Sequence, residues 1–197
     1  MNREISFLET DAYQTPQADL STQDDTVATY YVVSIKKFMT LFISTLGSYG
    51  VYWFYKNWAL HKATTHSNVW PVMRGILSIF FTHSLFRNVN ETIELKNISY
   101  KWDHSLIATL YVVSAIFSNI SDRLSAKNIG SPMTDFAGFI LMGLMAWSLY
   151  KAQIAINTAC DDPQGLTNSQ FSPANIAWIV LGLAFWVLIF IGMTAYI

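Results

Sequence analysis

Twenty-two successive residues at the C-terminal end, 176–197, carry no charge. At about 1.5 Å per residue they make a helix of roughly 33 Å, enough to cross a hydrocarbon layer of ~30 Å. A backbone in lipid must satisfy its own polar groups, which only helices and closed barrels do, and this run shows no strand alternation. The sequence therefore predicts an all-α integral membrane protein. Composition agrees: 13% of residues are charged, about half the share in soluble domains. A net charge of −1 gives no basic face and so no nucleic-acid partner. The single cysteine, Cys160, excludes an internal disulfide framework and multi-cysteine metal sites.

Four further apolar stretches predict a bundle of about five helices, with spans near 38–55, 72–88, 105–120, 134–156 and 175–196. The uncharged run 38–55 reaches roughly 27 Å. Within 72–88, Arg74, Ser78 and Thr82 form a polar stripe at helical spacing. That segment either lies in the membrane interface or spans it with Arg74 and Arg87 reaching opposite surfaces; its hydrophobicity favours spanning. Ser131-Pro132, Ser172-Pro173 and Pro71 read as helix starts, and Asp162-Pro163 with Gly165 as a stop. Trp53, Tyr55 and Trp58 fall where an interfacial aromatic belt is expected. Residues 84–87 and 148–151 echo each other as Ser-Leu-aromatic-base, a pattern that apolar composition alone can produce.

Residues 1–34 hold six acids and one base, leaving eleven bases and seven acids for the rest. This Thr- and Gln-rich stretch predicts a disordered, solvated tail, and it has no basic n-region followed by an apolar core. The membrane domain then occupies 35–197. With five spans, positive-inside logic places seven bases with the N-terminus and five opposite, so the N-terminus is expected in the cytoplasm. With four spans the count inverts.

Two stretches resemble known sequences. Tyr13-Gln14-Thr15-Pro16-Gln17-Ala18-Asp19-Leu20 is similar to the N-P-Y-x-x-P-x-A-D-L leader of small bacterial inner-membrane families, with Asp11-Ala12 in place of Asn-Pro. Leu46-Gly47-Ser48-Tyr49-Gly50-Val51-Tyr52-Trp53-Phe54-Tyr55-Lys56 resembles the L-x-G-x-Y-G-x-Y-W-F-Y-K signature of bacterial membrane proteins known only as a domain of unknown function. The similarity covers roughly residues 10–90, and 160–175 has the same character. It implies a multi-pass bacterial inner-membrane protein and brings no catalytic residue or ligand with it.

No G-x-S-x-G, H-E-x-x-H, phosphate loop or dinucleotide motif occurs. His61 and His66 lie five apart and do not share a helical face as paired metal ligands would. No catalytic residue, metal or cofactor is therefore expected. Polar residues in or near the spans are the better candidates, because burying them is costly unless they pair. These are Arg74, His83, Arg87, Lys151, Gln153 and Asn157, read as snorkelling and helix–helix hydrogen bonding or as a polar path between the second and fourth spans. Ser44, Gly47 and Ser48 form a small-residue face suited to close helix packing, with Phe42 turned to lipid. The expected function is that of a non-enzymatic scaffold or accessory subunit acting through helix contacts, its partners being lipid, a second copy or another membrane protein. The alternatives are a small oligomeric transporter or channel, and a membrane immunity protein against a pore-forming toxin.

Overall fold

A computed structural model describes the backbone of residues 28–195 and side chains as far as Gly192. The tail expected at 1–34 lies outside the described residues as far as residue 27. The described residues hold seven α-helices: α1 Ile35–Ser44, α2 Tyr49–Thr65, α3 Pro71–Ile76, α4 Ser78–Leu95, α5 His104–Ser125, α6 Met133–Ala159 and α7 Pro173–Ala195. A single 3-10 turn, Leu166–Asn168, sits between α6 and α7, and no strand occurs among the described residues. Among the described residues three helices, α5, α6 and α7, are long and apolar enough to cross a membrane.

The stretch 38–55 is not one helix. α1 ends at Ser44, and Leu46 and Gly47 take φ of +53° and +82°, a left-handed conformation that turns the chain. Phe38 then meets Tyr49 and Trp53 at ring-centroid distances of 6.0 and 5.8 Å. In one straight helix residues 38 and 53 would stand about 22 Å apart, so α1 and α2 form a hairpin. Its interior is aromatic: Phe38, Phe42, Trp53, Phe54 and Trp58 are fully buried. Trp53 and Trp58 thus form core rather than an interfacial belt, while Tyr55 stays exposed. Phe42, expected at lipid, is corrected to core as well. Sequence periodicity could not separate these cases, because a lipid-facing stripe and a protein-facing aromatic stripe read alike.

The stretch 72–88 is also divided. Leu77 (φ −95°, ψ 39°) separates α3 from α4, and the α3 backbone packs on α2 at Gly75. A Cβ there would lie 3.0 Å from the Val51 carbonyl and 3.1 Å from Tyr55 Cβ. α4 runs antiparallel to α5, with His83 against Thr109 and Phe86 against Trp102. α5 and α6 form a second hairpin, joined near its tip by Ser121 donating to the Thr134 carbonyl and by Ser125 bonding Asp135. The 84–87 and 148–151 echoes fall on helices of unlike length and setting.

Helix boundaries follow local chemistry. Asp103 caps α5 by accepting from Leu106 N (2.8 Å), and Ser172 caps α7 by accepting from Asn175 N (3.2 Å). Pro71 and Pro173 open α3 and α7 as expected. Ser131 does not cap α6; its hydroxyl donates to Asp135 instead (2.6 Å). The stop after α6 rests on Asp162, whose carboxylate accepts from Leu166 N and Thr167 N.

α7 lies apart from the rest. Its side chains are nearly all exposed, and it touches the body chiefly at Gly182, where a Cβ would sit 2.1 Å from the Ser44 carbonyl oxygen. Nearby, Trp186 Nε1 donates to the Ile43 carbonyl (3.0 Å) and its ring stacks on Phe139 of α6 (5.6 Å).

Candidate functional site

Asn57, Gln153 and Asn157 are fully buried, and each amide has four hydrogen-bonding sites that must be met. What they meet is the chain just before α1. Residues 28–34 have no helix, so their backbone groups need outside partners. Asn57 Oδ1 accepts from Tyr31 N (3.0 Å). Gln153 Nε2 donates to the Tyr31 carbonyl (3.1 Å). Asn157 brackets Val33, with Oδ1 accepting from its N–H (3.3 Å) and Nδ2 donating to its carbonyl (3.0 Å). Asn168 Nδ2 donates to the Val32 carbonyl (2.9 Å), and Ser34 N donates to the Asn168 carbonyl (3.3 Å).

The amides also tie to one another and to α2. Gln153 Nε2 donates to Asn157 Oδ1 (2.7 Å), Trp53 Nε1 donates to Gln153 Oε1, and Asn57 Nδ2 donates to the Trp53 carbonyl. Lys37 Nζ closes the outer end on Asn168 Oδ1 and the Gln170 carbonyl, each at 2.6 Å. Residues 28–34 therefore form an extended strap fixed by side chains of α2, α6 and the α6–α7 loop. That part of the expected solvated tail is corrected: Tyr30 and Val33 are buried. Tyr30 stacks on His61 (5.7 Å), and burial pushes its hydroxyl pKa up to about 12.

Of the six polar candidates, the structure brings together Gln153 and Asn157 alone. Arg74 lies over the rings of Trp58 (4.1 Å) and Phe81 (4.7 Å). His83 bonds Thr109 across to α5 (3.1 Å). Arg87 faces solvent and pairs loosely with Glu91 on its own helix (3.8 Å). Lys151 lies beside the Trp147 and Tyr150 rings. No shared polar path joins these contacts, because helical spacing places Arg74 and His83 against different neighbours, α2 and α5.

The small-residue face divides in the same way. Ser44 is the point where α1 meets α7 at Gly182. Gly47 serves the turn rather than close packing; its missing side chain would make only ordinary contact with the Phe42 ring. Ser48 opens onto a cavity of about 360 Å³ between the α1–α2 turn and α7, lined also by Tyr52, Asn175, Leu181 and Phe185.

Sequence reasoning missed Asn57, Asn168 and the strap. A signal existed in the spacing of Gln153 and Asn157, one helical turn apart on an apolar helix. It says that a polar ligand must face them, but not that the ligand is the chain's own backbone more than 120 residues earlier. Comparison with protein-family models, curated proteins and solved structures gave no match.

Proposed function

We propose that this chain is a three-span membrane protein with no catalytic role, acting through helix contacts as a scaffold or accessory subunit. In this reading α5, α6 and α7 cross the bilayer, and the strap and α1–α4 start and finish on one side as a head, with the α1–α2 turn dipping between the spans beside Gly182 and Trp186 of α7. The described lysines and arginines are then distributed nine to two. Lys36, Lys37, Lys56, Lys62, Arg74, Arg87, Lys96, Lys101 and Lys151 lie on the head side, against Arg123 and Lys127 at the α5–α6 tip. Positive-inside logic puts the head and the N-terminus in the cytoplasm. The resemblance of residues 46–56 to bacterial membrane proteins supports the inner membrane as the location.

The observation that carries the reading is the use of the deep polar groups. Gln153 and Asn157 are occupied by strap backbone, which leaves them unavailable to a cargo, whereas α7 offers an almost uninterrupted apolar surface. Helices in lipid associate through packing of such faces.

A paired measurement tests this. In mild detergent the protein should run as an assembly heavier than its 22.3 kDa chain, and Leu183→Asn with Val187→Asn should reduce it toward the monomer. Proteoliposomes of the same preparation should show no solute or ion flux. A selective flux, or a monomer indifferent to α7 substitution, rejects the scaffold reading.

A further inference from the structure

Arg74 makes no hydrogen bond or ion pair among the described residues, yet its guanidinium is fixed. It lies over the rings of Trp58 and Phe81 at 4.1 and 4.7 Å, an arrangement that holds the cation by its attraction to aromatic faces. Its N–H donors, in a planar fork suited to oxyanions, are left without an acceptor. The same neighbourhood holds two more unanswered donors. Trp58 is fully buried and its Nε1 has no partner; His61, packed edge-on to Trp58 at 5.6 Å, has a buried Nδ1 with none. Asn88 Nδ2 faces His61 Nε2 at 3.3 Å, so Nδ1 is the ring nitrogen left to carry the hydrogen.

Around this cluster the surface is apolar. Trp70 (72% exposed), Val72, Ile76 and Phe80 (76% exposed) stand outward from α3 and the start of α4. Large exposed apolar patches mark interaction sites, and tryptophan beside a basic residue is the composition of a segment lying in a membrane interface. Charge selects among lipids. The described head residues hold nine bases against five acids, Glu91, Glu94, Asp103, Asp161 and Asp162, and Glu91 and Asp161 already face Arg87 and Lys96.

We propose that α3 and the Arg74 cluster form a binding site for one anionic phospholipid of the surrounding bilayer. The Arg74 guanidinium receives the headgroup phosphate, and Trp70, Ile76 and Phe80 receive the upper acyl chains. The inference rests on the three-span placement only in needing α3 at the membrane surface; it is independent of the scaffold role.

Native mass spectrometry of the full chain tests it, with phosphatidylglycerol and phosphatidylcholine of identical chains titrated separately. The wild type should retain the first phosphatidylglycerol at least fivefold more than phosphatidylcholine. Arg74→Gln should remove most of that preference, and Arg87→Gln, on a solvent-facing ion pair, should leave it intact. Should Arg74→Gln fail to fold, Trp70→Ser with Phe80→Gln alters only outward side chains and should lower retention of both lipids. Equal retention of the two lipids by the wild type overturns the proposal, as does full preference in Arg74→Gln. Inorganic phosphate is the remaining arm. If it raises the thermal stability of wild type but not of Arg74→Gln, while the lipids are not distinguished, the site takes free anions and the lipid assignment is wrong. Side-specific labelling of a cysteine at Asn128 reads the topology separately, so a failed placement is distinguishable from a failed lipid site.

Discussion

Replacing Asn157 with alanine removes three hydrogen bonds in one step: two to Val33 and one from Gln153. Gln153 keeps its second acceptor, the Tyr31 carbonyl, so its loss is small. Val33 is fully buried, and its N–H and carbonyl would be left facing a shortened side chain. Each unsatisfied buried group costs about 1–3 kcal/mol. Partial relief by an entering water puts the sum near the lower end, about 3 kcal/mol. For a chain of this size that corresponds to a fall in melting temperature of roughly 6–12 °C. The assay is thermal unfolding of the detergent-solubilised protein, paired with limited trypsin digestion. As the strap loosens, cleavage after Lys36 and Lys37 should accelerate, since Lys37 is held by Asn168 and the Gln170 carbonyl in the intact fold. Asn175→Ala serves as the control. Its side chain accepts one bond from Ser172 N at the exposed start of α7, so it should cost about 1 kcal/mol or less. An Asn157→Ala melting temperature no more than about 2 °C from wild type, with unchanged cleavage, would refute the strap as a structural element.

Other substitutions probe the hairpin and the α7 contact. Phe42→Ala should destabilise by about 3–5 kcal/mol, as expected for a buried ring and not for a lipid-facing one; denaturant or thermal unfolding reads the difference. Gly47→Ala should cost about 1–2 kcal/mol, because the left-handed backbone at this turn penalises a Cβ, and its effect should vanish if the turn straightens in lipid. Gly182→Leu should push α7 off α1 and lower the melting temperature by overpacking, about 1–3 kcal/mol. Acid should weaken the head. Burial, then the charge of Arg74, holds His61 below its ordinary value, so the unfolded chain takes up a proton near pH 6.5 before the folded one does. This contribution is complete above about pH 6.5 and is lost as the pH falls through that range; the melting temperature at pH 5 should lie below that at pH 7.5, and His61→Phe should narrow the gap.

The long apolar helices were legible because length and charge suffice to mark them. α7 emerged from its uncharged run, and Ser172-Pro173 located its first turn. The hairpin was not legible, since a run such as 38–55 is equally apolar whether it faces lipid or folds on itself. Gly47 looked like a packing glycine because helical spacing alone cannot reveal a positive φ. Gly182 makes a close backbone approach to Ser44, while Gly143 has no neighbour within 4 Å of an added Cβ. Gln153 and Asn157 announced a buried polar requirement. Their partners at Tyr31 and Val33 lie too far away in sequence for any periodicity to connect them.

The central claim is that α1 and α2 return to the side from which they start, leaving three crossings. Single cysteines placed at Lys36, Asn68, Gln164 and Asn128 in a Cys160→Ser background, labelled with a membrane-impermeant maleimide from each side, test it directly. The account predicts that Lys36, Asn68 and Gln164 label from the cytoplasmic side and Asn128 from the other. Labelling of Asn68 from the side opposite to Lys36 would mean that 38–55 crosses the bilayer, and would contradict the account.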